Sequence, residues 1–244
     1  STFNPNLNGT EGIPFAGPPD KVAEDIRAYE AMGVTNLIFD LGGVASSKAG
    51  DPSDIIAMQD AIRVVNMSYG VQHCGSTPDF KRQAKHYKNL FSSAPDVLFI
   101  ASAGNDGRFG APCGLAKFHT PSALSMELDN VISVGATNRL DGRTSFSNFG
   151  EAVDLAAPGL DVWTTSPQFP TGYGGFNGTS ASAPVVSGVA AVLRSIDPSL
   201  SAADTKQLMM DTADPITVCT EYNDPCPPGS TETWARLNAN AAVA

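Results

Sequence analysis

The chain has few histidines, no paired cysteine motif and no long apolar run. Its 244 residues include three histidines and four cysteines. The cysteines, at positions 74, 113, 219 and 226, lack Cys-x-x-Cys spacing and neighbouring histidines, which argues against a zinc site. No apolar run approaches the roughly 20 residues that cross a bilayer. The sequence therefore predicts neither a structural zinc nor a membrane span.

Positive charge is also scarce. The chain has 15 lysines and arginines against 25 aspartates and glutamates, which gives a formal net charge of −10. Long-range repulsion of this kind disfavours nucleic acids and anionic membranes as partners. With 42% hydrophobic residues, a chain of 244 residues has enough apolar material for one core. We expect a single domain over residues 1–244, with no nucleic-acid and no membrane partner.

The most informative stretch is residues 177–184, Asn-Gly-Thr-Ser-Ala-Ser-Ala-Pro, which precedes an apolar run over residues 185–193. Glycine permits a sharp turn, and Pro184 is tolerated in a first helical turn. Ser180 is therefore expected at the N-terminus of a buried helix, where the helix dipole stabilises developing negative charge. An ordinary Ser/Thr cap on a core helix is the alternative.

Short apolar segments alternate with helical stretches in the rest of the chain. The predicted strands are residues 36–40, 64–68, 97–101 and 131–135. This alternation predicts an α/β fold, with a largely parallel sheet and helices on both faces. Residues that follow such strands, for example Asn105 in Gly-Asn-Asp-Gly, would lie at the carboxyl edge of the sheet, where sites in open α/β folds form.

Several windows, in order, resemble subtilisin-type serine proteases. They are Val-Val-Asn-Met-Ser-Tyr-Gly at 64–70, the stretch 97–107, the segments within 131–159, the stretch 177–184 and Trp-Ala-Arg-Leu-Asn-Ala at 234–239. The resemblance covers about residues 64–244. It implies a subtilisin-like fold and a serine endopeptidase that acts on polypeptides.

The resemblance also implies site residues. Ser180 matches the acylated nucleophile, and Asn105 matches the side-chain donor of the oxyanion hole, whose loss costs about a hundredfold to a thousandfold in a subtilisin. Two segments match the flanks of the first specificity pocket and would hold an extended peptide by backbone hydrogen bonds. The pocket residues implied are Ser68, Tyr69 and Gly70 in one segment, and Ala103 and Gly104 in the other (101–104).

The resemblance fails upstream of residue 64. There the family's catalytic aspartate closes a strand and its histidine opens a helix in a His-Gly-Thr-His-type motif, and neither motif is present. We assign His86 to a solvated face of a polar helix and His119 to a structural role in a loop. Asp40 and His73, 33 residues apart, are the remaining candidates for a triad with Ser180, although their flanking residues do not match. A subtilisin-like domain without its N-terminal part is predicted.

Residues 1–63 form an atypical segment. The helix–strand–helix pattern of residues 14–63, with Val22, Ile26 and Tyr29 at helical spacing, resembles the closing barrel unit of luciferase-like flavin or deazaflavin monooxygenases. A fused gene, a missing third supplied by a second chain, and divergence are all compatible with it. In the last case residues 36–40 and 51–62 are the strand and helix that precede residue 64 in any subtilase.

The cysteines and the acidic loops bear on location and cofactors. Cys219 and Cys226 bracket a proline-rich loop, and Cys74 and Cys113 each follow one pocket strand, so two disulfides and an extracellular location are predicted. No cofactor is predicted. Some subtilases bind calcium, and Asp141 in a loop is compatible with it, but no metal site is assigned.

Two functions from different classes remain open. The first is a serine endopeptidase acylated at Ser180, whose base comes from a partner chain, a missing segment or an unrecognised residue. The second is a catalytically inactive subtilase-like module that binds peptides or has a structural role. A flavin-dependent oxidoreductase is a more distant third.

Overall fold

The computed structural model describes residues 62–165, 172–221 and 226–244, together with the strand at residues 39–40. The strands are β1 (Phe39–Asp40), β2 (Val64–Met67), β3 (Val71–Gln72), β4 (Leu98–Ser102), β5 (His119–Thr120), β6 (Val131–Thr137), β7 (Leu155–Pro158), β8 (Val162–Thr165), β9 (Tyr173–Phe176), β10 (Asp214–Cys219) and β11 (Thr231–Arg236). The α-helices are α1 (Pro78–Ser92), α2 (Thr179–Ile196), α3 (Ala202–Asp211) and α4 (Ala239–Val243). Short 3-10 helices span Gly107–Phe109, Ala116–Phe118 and Ser122–Met126. Of the predicted helix–strand–helix pattern of residues 14–63, only residues 39–40 and 62–63 are described, and the predicted helices before the strand and at 51–61 lie outside the described residues.

The centre of the protein is a seven-stranded sheet in the order β1-β2-β4-β6-β7-β11-β10. All neighbours pair in parallel except β10 and β11, which form an antiparallel hairpin. This confirms the predicted largely parallel sheet. Three predicted strands, at 64–68, 97–101 and 131–135, appear with ends shifted by at most two residues, and Phe39–Asp40 runs parallel to β2.

Alternate residues of the central strands build two cores. In β4, Leu98 and Ile100 face a cluster with residues of α2 and α3, whereas Phe99 and Ala101 face a cluster that includes Phe91 of α1. Because both faces are covered, β4 is buried at all five positions, and its first four residues are apolar without alternation. The predicted helices on both faces are therefore confirmed.

Helix α2 lies across the middle of the sheet, in contact with β2, β4, β6 and β7. Among the described residues it is long and apolar enough to span a membrane, but 56% of it is buried, as in a core helix. Near its C-terminus, Arg194 Nη1 donates to Arg63 O at 2.7 Å and to Asp96 O at 2.8 Å. Burial, followed by the neighbouring Arg63, lowers the pKa of Arg194 to about 10. These bonds fix the far end of α2 to the starts of β2 and β4.

We predict that shortening the side chain of Ile100, which is 0% exposed in the core beneath α2, destabilises the protein by leaving a cavity. Ile100→Ala should lower the free energy of unfolding by about 2–5 kcal/mol, and Ile100→Val by about 0.5–1.5 kcal/mol. Urea denaturation with the disulfides intact measures both changes. The control is Ile196→Ala, since Ile196 is 65% exposed, and it should change stability by less than about 0.5 kcal/mol. Equal losses at both positions would contradict this account of the core.

Candidate active site

Ser180 lies in the first turn of α2, as the sequence predicts. The turn before it is made by Gly178, whose φ of 145° and ψ of 160° are accessible to glycine and strained for other residues. Thr179 is then the first helical residue and Ser180 the second. The backbone N–H of Ser180 is one of the four donors that an α-helix leaves without an internal partner. A partly exposed hydroxyl and an available N–H therefore occur in the same residue.

Pro184 is not in the first turn of α2, which corrects the expectation from sequence. Because the helix already begins at Thr179, Pro184 is its sixth residue. Proline has no N–H, so it cannot donate to the carbonyl four residues earlier, which is that of Ser180. Ser68 Oγ donates to Ser180 O instead, at 2.9 Å, and Ser180 Oγ donates to Ser68 O at 3.0 Å. The two serines thus bond reciprocally between the end of β2 and the start of α2.

A buried asparagine extends this exchange into the core. Asn66, 3% exposed in β2, donates from Nδ2 to Ser68 Oγ at 2.9 Å. Its Oδ1 accepts from Ser187 Oγ at 3.2 Å, and Ser187 lies two turns further along α2. The strand and the helix are therefore joined by a chain of polar groups. Buried polar groups are costly unless they are bonded, so these bonds fix the relative position of β2 and α2.

The amide of Asn105 lies beside Ser180 because Thr179 holds it there. Asn105 Oδ1 accepts from Thr179 N at 2.9 Å and from Thr179 Oγ1 at 3.0 Å. A Cβ placed on Gly178 would lie 3.5 Å from Asn105 Nδ2 and 3.6 Å from Ser180 N. With its oxygen occupied, the exposed Asn105 side chain presents Nδ2 as a donor next to the helix N-terminus. Two residues that are 75 positions apart in sequence therefore meet at one sheet edge.

The implied pocket residues Ala103 and Gly104 are fully engaged through their backbones. Ala103 N donates to Val134 O at 2.9 Å, and its carbonyl accepts from Asn148 Nδ2 at 2.8 Å. Gly104 N donates to Thr179 Oγ1 at 3.2 Å, and Gly104 O accepts from Asn148 N at 3.0 Å. Their N–H groups are therefore not available to a peptide. This segment can therefore contact a ligand through its surface but has no free backbone N–H to donate to it.

The other implied pocket segment is more open. Ser68 and Tyr69 are half-buried and Gly70 is exposed. Tyr69 packs against the core cluster on the α1 side of the sheet. There it hydrogen-bonds Tyr87, whose pKa is raised mainly by burial and is lowered in part by that bond. The exposed backbone near Gly70 is thus supported from beneath by an aromatic side chain.

None of the histidines is hydrogen-bonded to Ser180 in the part of the chain that the structure describes. His73 Nδ1 lies 3.4 Å from Thr77 Oγ1, its ring packs edge-on against Phe80, and its Nε2 is buried without a hydrogen-bond partner. His86 is exposed on α1. Asp40 lies in β1 beside Asn66 of β2, and only its backbone is described. The Asp40–His73–Ser180 triad therefore stays a prediction without structural support.

The loop predicted at His119 is wrong, because His119 and Thr120 form the short strand β5, paired antiparallel with β3. His119 is 4% exposed, and its Nδ1 lies 2.8 Å from Ser122 Oγ. Burial lowers the pKa of His119 to about 4, and the neighbouring His73 adds to this effect. The imidazole is therefore neutral at pH 7, because removal from water disfavours its charged form.

Both predicted disulfides are formed, Cys74–Cys113 and Cys219–Cys226. The first joins the chain after β3 to the segment that leads to β5. Asp141, the loop carboxylate compatible with calcium, is paired with Arg236 at 3.0 Å. Over residues 62–165, 172–221 and 226–244, no group of three His, Cys, Asp or Glu is placed to hold a metal ion.

The sequence analysis did not identify Thr179, Asn66 and Ser187 as functional residues. Thr179 holds the Asn105 amide, and Asn66 and Ser187 join β2 to α2. Two signals were available. An asparagine inside the apolar run Val-Val-Asn-Met must find a buried partner. A proline within a predicted core helix leaves a carbonyl that needs another donor. Neither signal identifies the partner, which depends on how α2 lies on the sheet.

We predict that Ser68 and Pro184 are energetically coupled. Ser68→Ala removes the donor to Ser180 O and should cost about 1 kcal/mol of stability, up to about 3 kcal/mol, because a partly buried carbonyl loses its partner. Pro184→Ala supplies an N–H four residues after Ser180. In the double variant this N–H should restore part of the loss, with a coupling energy of about 0.5–3 kcal/mol. Urea denaturation of the four proteins completes the cycle, and strictly additive losses would show that the two residues do not share the carbonyl.

We also predict that His119 makes stability depend on pH. Its folded pKa of about 4 lies below its ordinary value of 6.5. Between these values the unfolded chain binds a proton that the folded chain excludes, so the free energy of unfolding falls as pH falls through this window. The loss from His119 between pH 7 and pH 4 is about 3 kcal/mol. His119→Gln should flatten the profile in this range while leaving the carboxylate transitions, and parallel profiles would contradict the assignment.

Comparison with known proteins agrees with this geometry. The model of the Subtilase family, Peptidase S8, matches residues 36–238. Subtilisin DY of Bacillus licheniformis is 34% identical over 69% of this chain and 57% of its own length. Alkaline elastase YaB of Bacillus sp. is 32% identical, over 84% of this chain and 52% of its own length. Subtilisin Savinase of Lederbergia lenta is 34% identical, over 86% of this chain and 78% of its own length. The chain thus spans about half the length of the first two relatives.

Solved structures show the same likeness. The prenylagaramide maturation protease PagA matches with a TM-score of 0.59 and 25% identity, over 83% of this chain and 70% of that one. A cold-adapted subtilisin-like serine proteinase matches with a TM-score of 0.53 and 26% identity, over 81% and 65%. The family match includes residues 36–63, and the resemblance of residues 14–63 to luciferase-like monooxygenases finds no support. The division of the chain at residue 64 stays a prediction. With a matching family model over most of its length, a subtilisin-like sheet and the Ser180 turn, the chain belongs to the subtilase family.

Proposed function

We propose that this chain carries the nucleophile and the oxyanion site of a serine endopeptidase that cleaves polypeptides through an acyl-enzyme at Ser180. One observation carries the proposal: Thr179 holds the Asn105 amide beside Ser180, with Oδ1 bonded and Nδ2 available. Stability of the fold alone does not require the Nδ2 donor of Asn105 to lie beside Ser180, whereas stabilisation of a negative oxygen in the reaction does. The subtilisin relatives support the same reading.

The proposed chemistry assigns each group one task. Ser180 Oγ attacks the carbonyl carbon of the scissile peptide bond, and the carbonyl oxygen becomes negative as the new C–O bond forms. Asn105 Nδ2 and the N–H of Ser180 donate to that oxygen, and the N-terminus of α2 stabilises its charge. The C–N bond then breaks, and the leaving amine must receive a proton.

The proton of the Ser180 hydroxyl is the unresolved part of this reaction. In the described structure Ser180 Oγ–H points to Ser68 O, and a peptide carbonyl cannot serve as a general base at neutral pH. A serine without a base is a weak nucleophile. In a subtilisin, removing the serine or histidine of the triad lowers turnover by about a millionfold. We infer that the base is supplied from outside residues 62–165, 172–221 and 226–244, by another part of the protein or by a second chain.

A catalytically inactive peptide-binding module is the second candidate. The observation that favours it is the same hydrogen bond from Ser180 Oγ to Ser68 O, which gives the hydroxyl a partner other than an imidazole. Under this reading the cleft retains its walls and donors, and peptides bind without being cleaved. We propose an extracellular location for the protein under both candidate functions. The two disulfides support it, as does a relative named Extracellular protease from Xanthomonas campestris.

A fluorophosphonate probe tests the acyl-enzyme proposal, because its rate of reaction with a serine rises with the nucleophilicity of the hydroxyl. We expect the purified chain to be labelled slowly, at Ser180 as located by peptide mass mapping. Added imidazole should accelerate the labelling, because it supplies the missing base in solution. Asn105→Ala should slow the rescued reaction by about a hundredfold to a thousandfold, the range known for the equivalent loss in a subtilisin.

The controls separate the candidates. Ser180→Ala should abolish labelling, whereas Ser195→Ala, an exposed serine on the same helix, should leave it unchanged. Rapid labelling without imidazole that is lost in His73→Ala would make His73 the base. Absence of labelling at any imidazole concentration would overturn the endopeptidase proposal and leave the peptide-binding module.

A further inference from the structure

The side chain of His119 occupies the space between the ends of two parallel strands. The last paired residues of β2 and β4 are Met67 and Ala101. Gly70 lies three residues after the end of β2 and Gly104 two residues after the end of β4, and atoms of the His119 ring lie against both glycines. Beyond the last paired residues the two strands no longer share hydrogen bonds. The implied walls of the specificity pocket therefore face each other across this space.

The ring contacts both walls closely. A Cβ on Gly70 would lie 2.1 Å from His119 Cε1 and 2.5 Å from its Nε2, and one on Gly104 would lie 2.8 Å from Cδ2. Contacts this short exclude any side chain at either glycine while the ring is in place. His119 is only 4% exposed, so the ring is buried where it meets the two glycines. Beside Gly104 it shares the space with Asn148 Nδ2, which would lie 2.2 Å from the same Cβ.

Hydrogen bonds fix the ring in this position. Ser122 Oγ donates to His119 O at 3.2 Å and lies 2.8 Å from His119 Nδ1. The imidazole and the backbone carbonyl of His119 are thus both held against one hydroxyl. A ligand that displaced the ring would have to break this arrangement.

We propose that His119 fills the pocket for the substrate residue that precedes the scissile bond and restricts that residue to a small side chain, such as glycine, alanine or serine. The inference rests on the proposed function, because Gly70 and Gly104 are pocket walls only if the cleft binds peptides. A phenylalanine side chain at this position would overlap the imidazole. Alanine extends only one carbon beyond the peptide backbone and avoids it.

The test measures binding and needs no catalysis. Two N-terminally fluorescein-labelled tetrapeptides, identical except for C-terminal alanine or phenylalanine, are titrated against the unmodified chain by fluorescence anisotropy. Their terminal carboxylate fixes the register, since it can accept from Asn105 Nδ2. We expect the alanine peptide to bind at least about tenfold more tightly, because even one methylene changes binding in a shaped pocket by about tenfold to two-hundredfold.

Variants identify the residue responsible. His119→Ala should remove or reverse the preference, and His119→Leu, which keeps the bulk of the side chain, should retain it. His86→Ala, a histidine exposed on α1, should leave both affinities unchanged. A preference for phenylalanine in the unmodified chain would overturn the inference, even if no His119 variant folds.

The remaining outcomes separate this inference from the proposed function. Peptide binding with the expected preference, but without fluorophosphonate labelling of Ser180, supports the role of His119 and overturns the acyl-enzyme. Equal binding of the two peptides together with labelling of Ser180 supports the acyl-enzyme and overturns the role of His119. Failure of both peptides to bind overturns the pocket along with the proposed cleft.

Discussion

The reciprocal hydrogen bonds between Ser68 and Ser180 are the constraint on which the site depends. Pro184 removes one bond of the α2 ladder and frees the Ser180 carbonyl, and Ser68 Oγ is the donor that replaces the missing N–H. A buried carbonyl would otherwise cost about 1–3 kcal/mol. The backbone of Ser180, the proposed nucleophile, is thus held by the segment that follows β2, so its position relative to that strand does not depend on helix packing alone.

Other hydrogen bonds along α2 hold the helix in the position that the contact between Ser68 and Ser180 requires. Arg194 fixes the C-terminal end of the helix to Arg63 O and Asp96 O, and Ser187 bonds Asn66 beneath its middle. Thr179 fixes the N-terminal end to Asn105 and Gly104. With three anchors along 18 residues, the helix cannot slide or rotate on the sheet without leaving buried polar groups unpaired. The distance between the amide donor and the hydroxyl is therefore set by the core.

Much of this could be predicted from the sequence. The apolar run at 97–101, and the mostly apolar run at 64–68 that contains Asn66, predict buried parallel strands because both faces of such strands are covered. The Gly178 turn predicts an accessible serine at the start of the next helix. The position of Pro184 was wrong because cap and first-turn signals locate a helix start only to within a few residues. His119 was predicted as a loop because the two residues of β5 give no periodicity, and its burial depends on β3. The barrel-like reading of residues 14–63 failed because amphipathic spacing is shared by many unrelated helices.

The Ser68 carbonyl accepts from the Ser180 hydroxyl, which raises the question of whether a peptide can bind beside it. A carbonyl oxygen has two lone pairs, so Ser68 O can accept from Ser180 Oγ and still accept from the N–H of an extended peptide. A bound peptide and the resting hydroxyl are therefore compatible, and binding need not wait for catalysis. For reaction the hydroxyl must turn from Ser68 O toward a stronger base, and this rotation changes only one side-chain torsion. Throughout this rotation Ser68 Oγ still holds the backbone of Ser180. Under the proposed function, an imidazole brought to the exposed side of Ser180 would therefore meet a hydroxyl already in place beside the Asn105 amide.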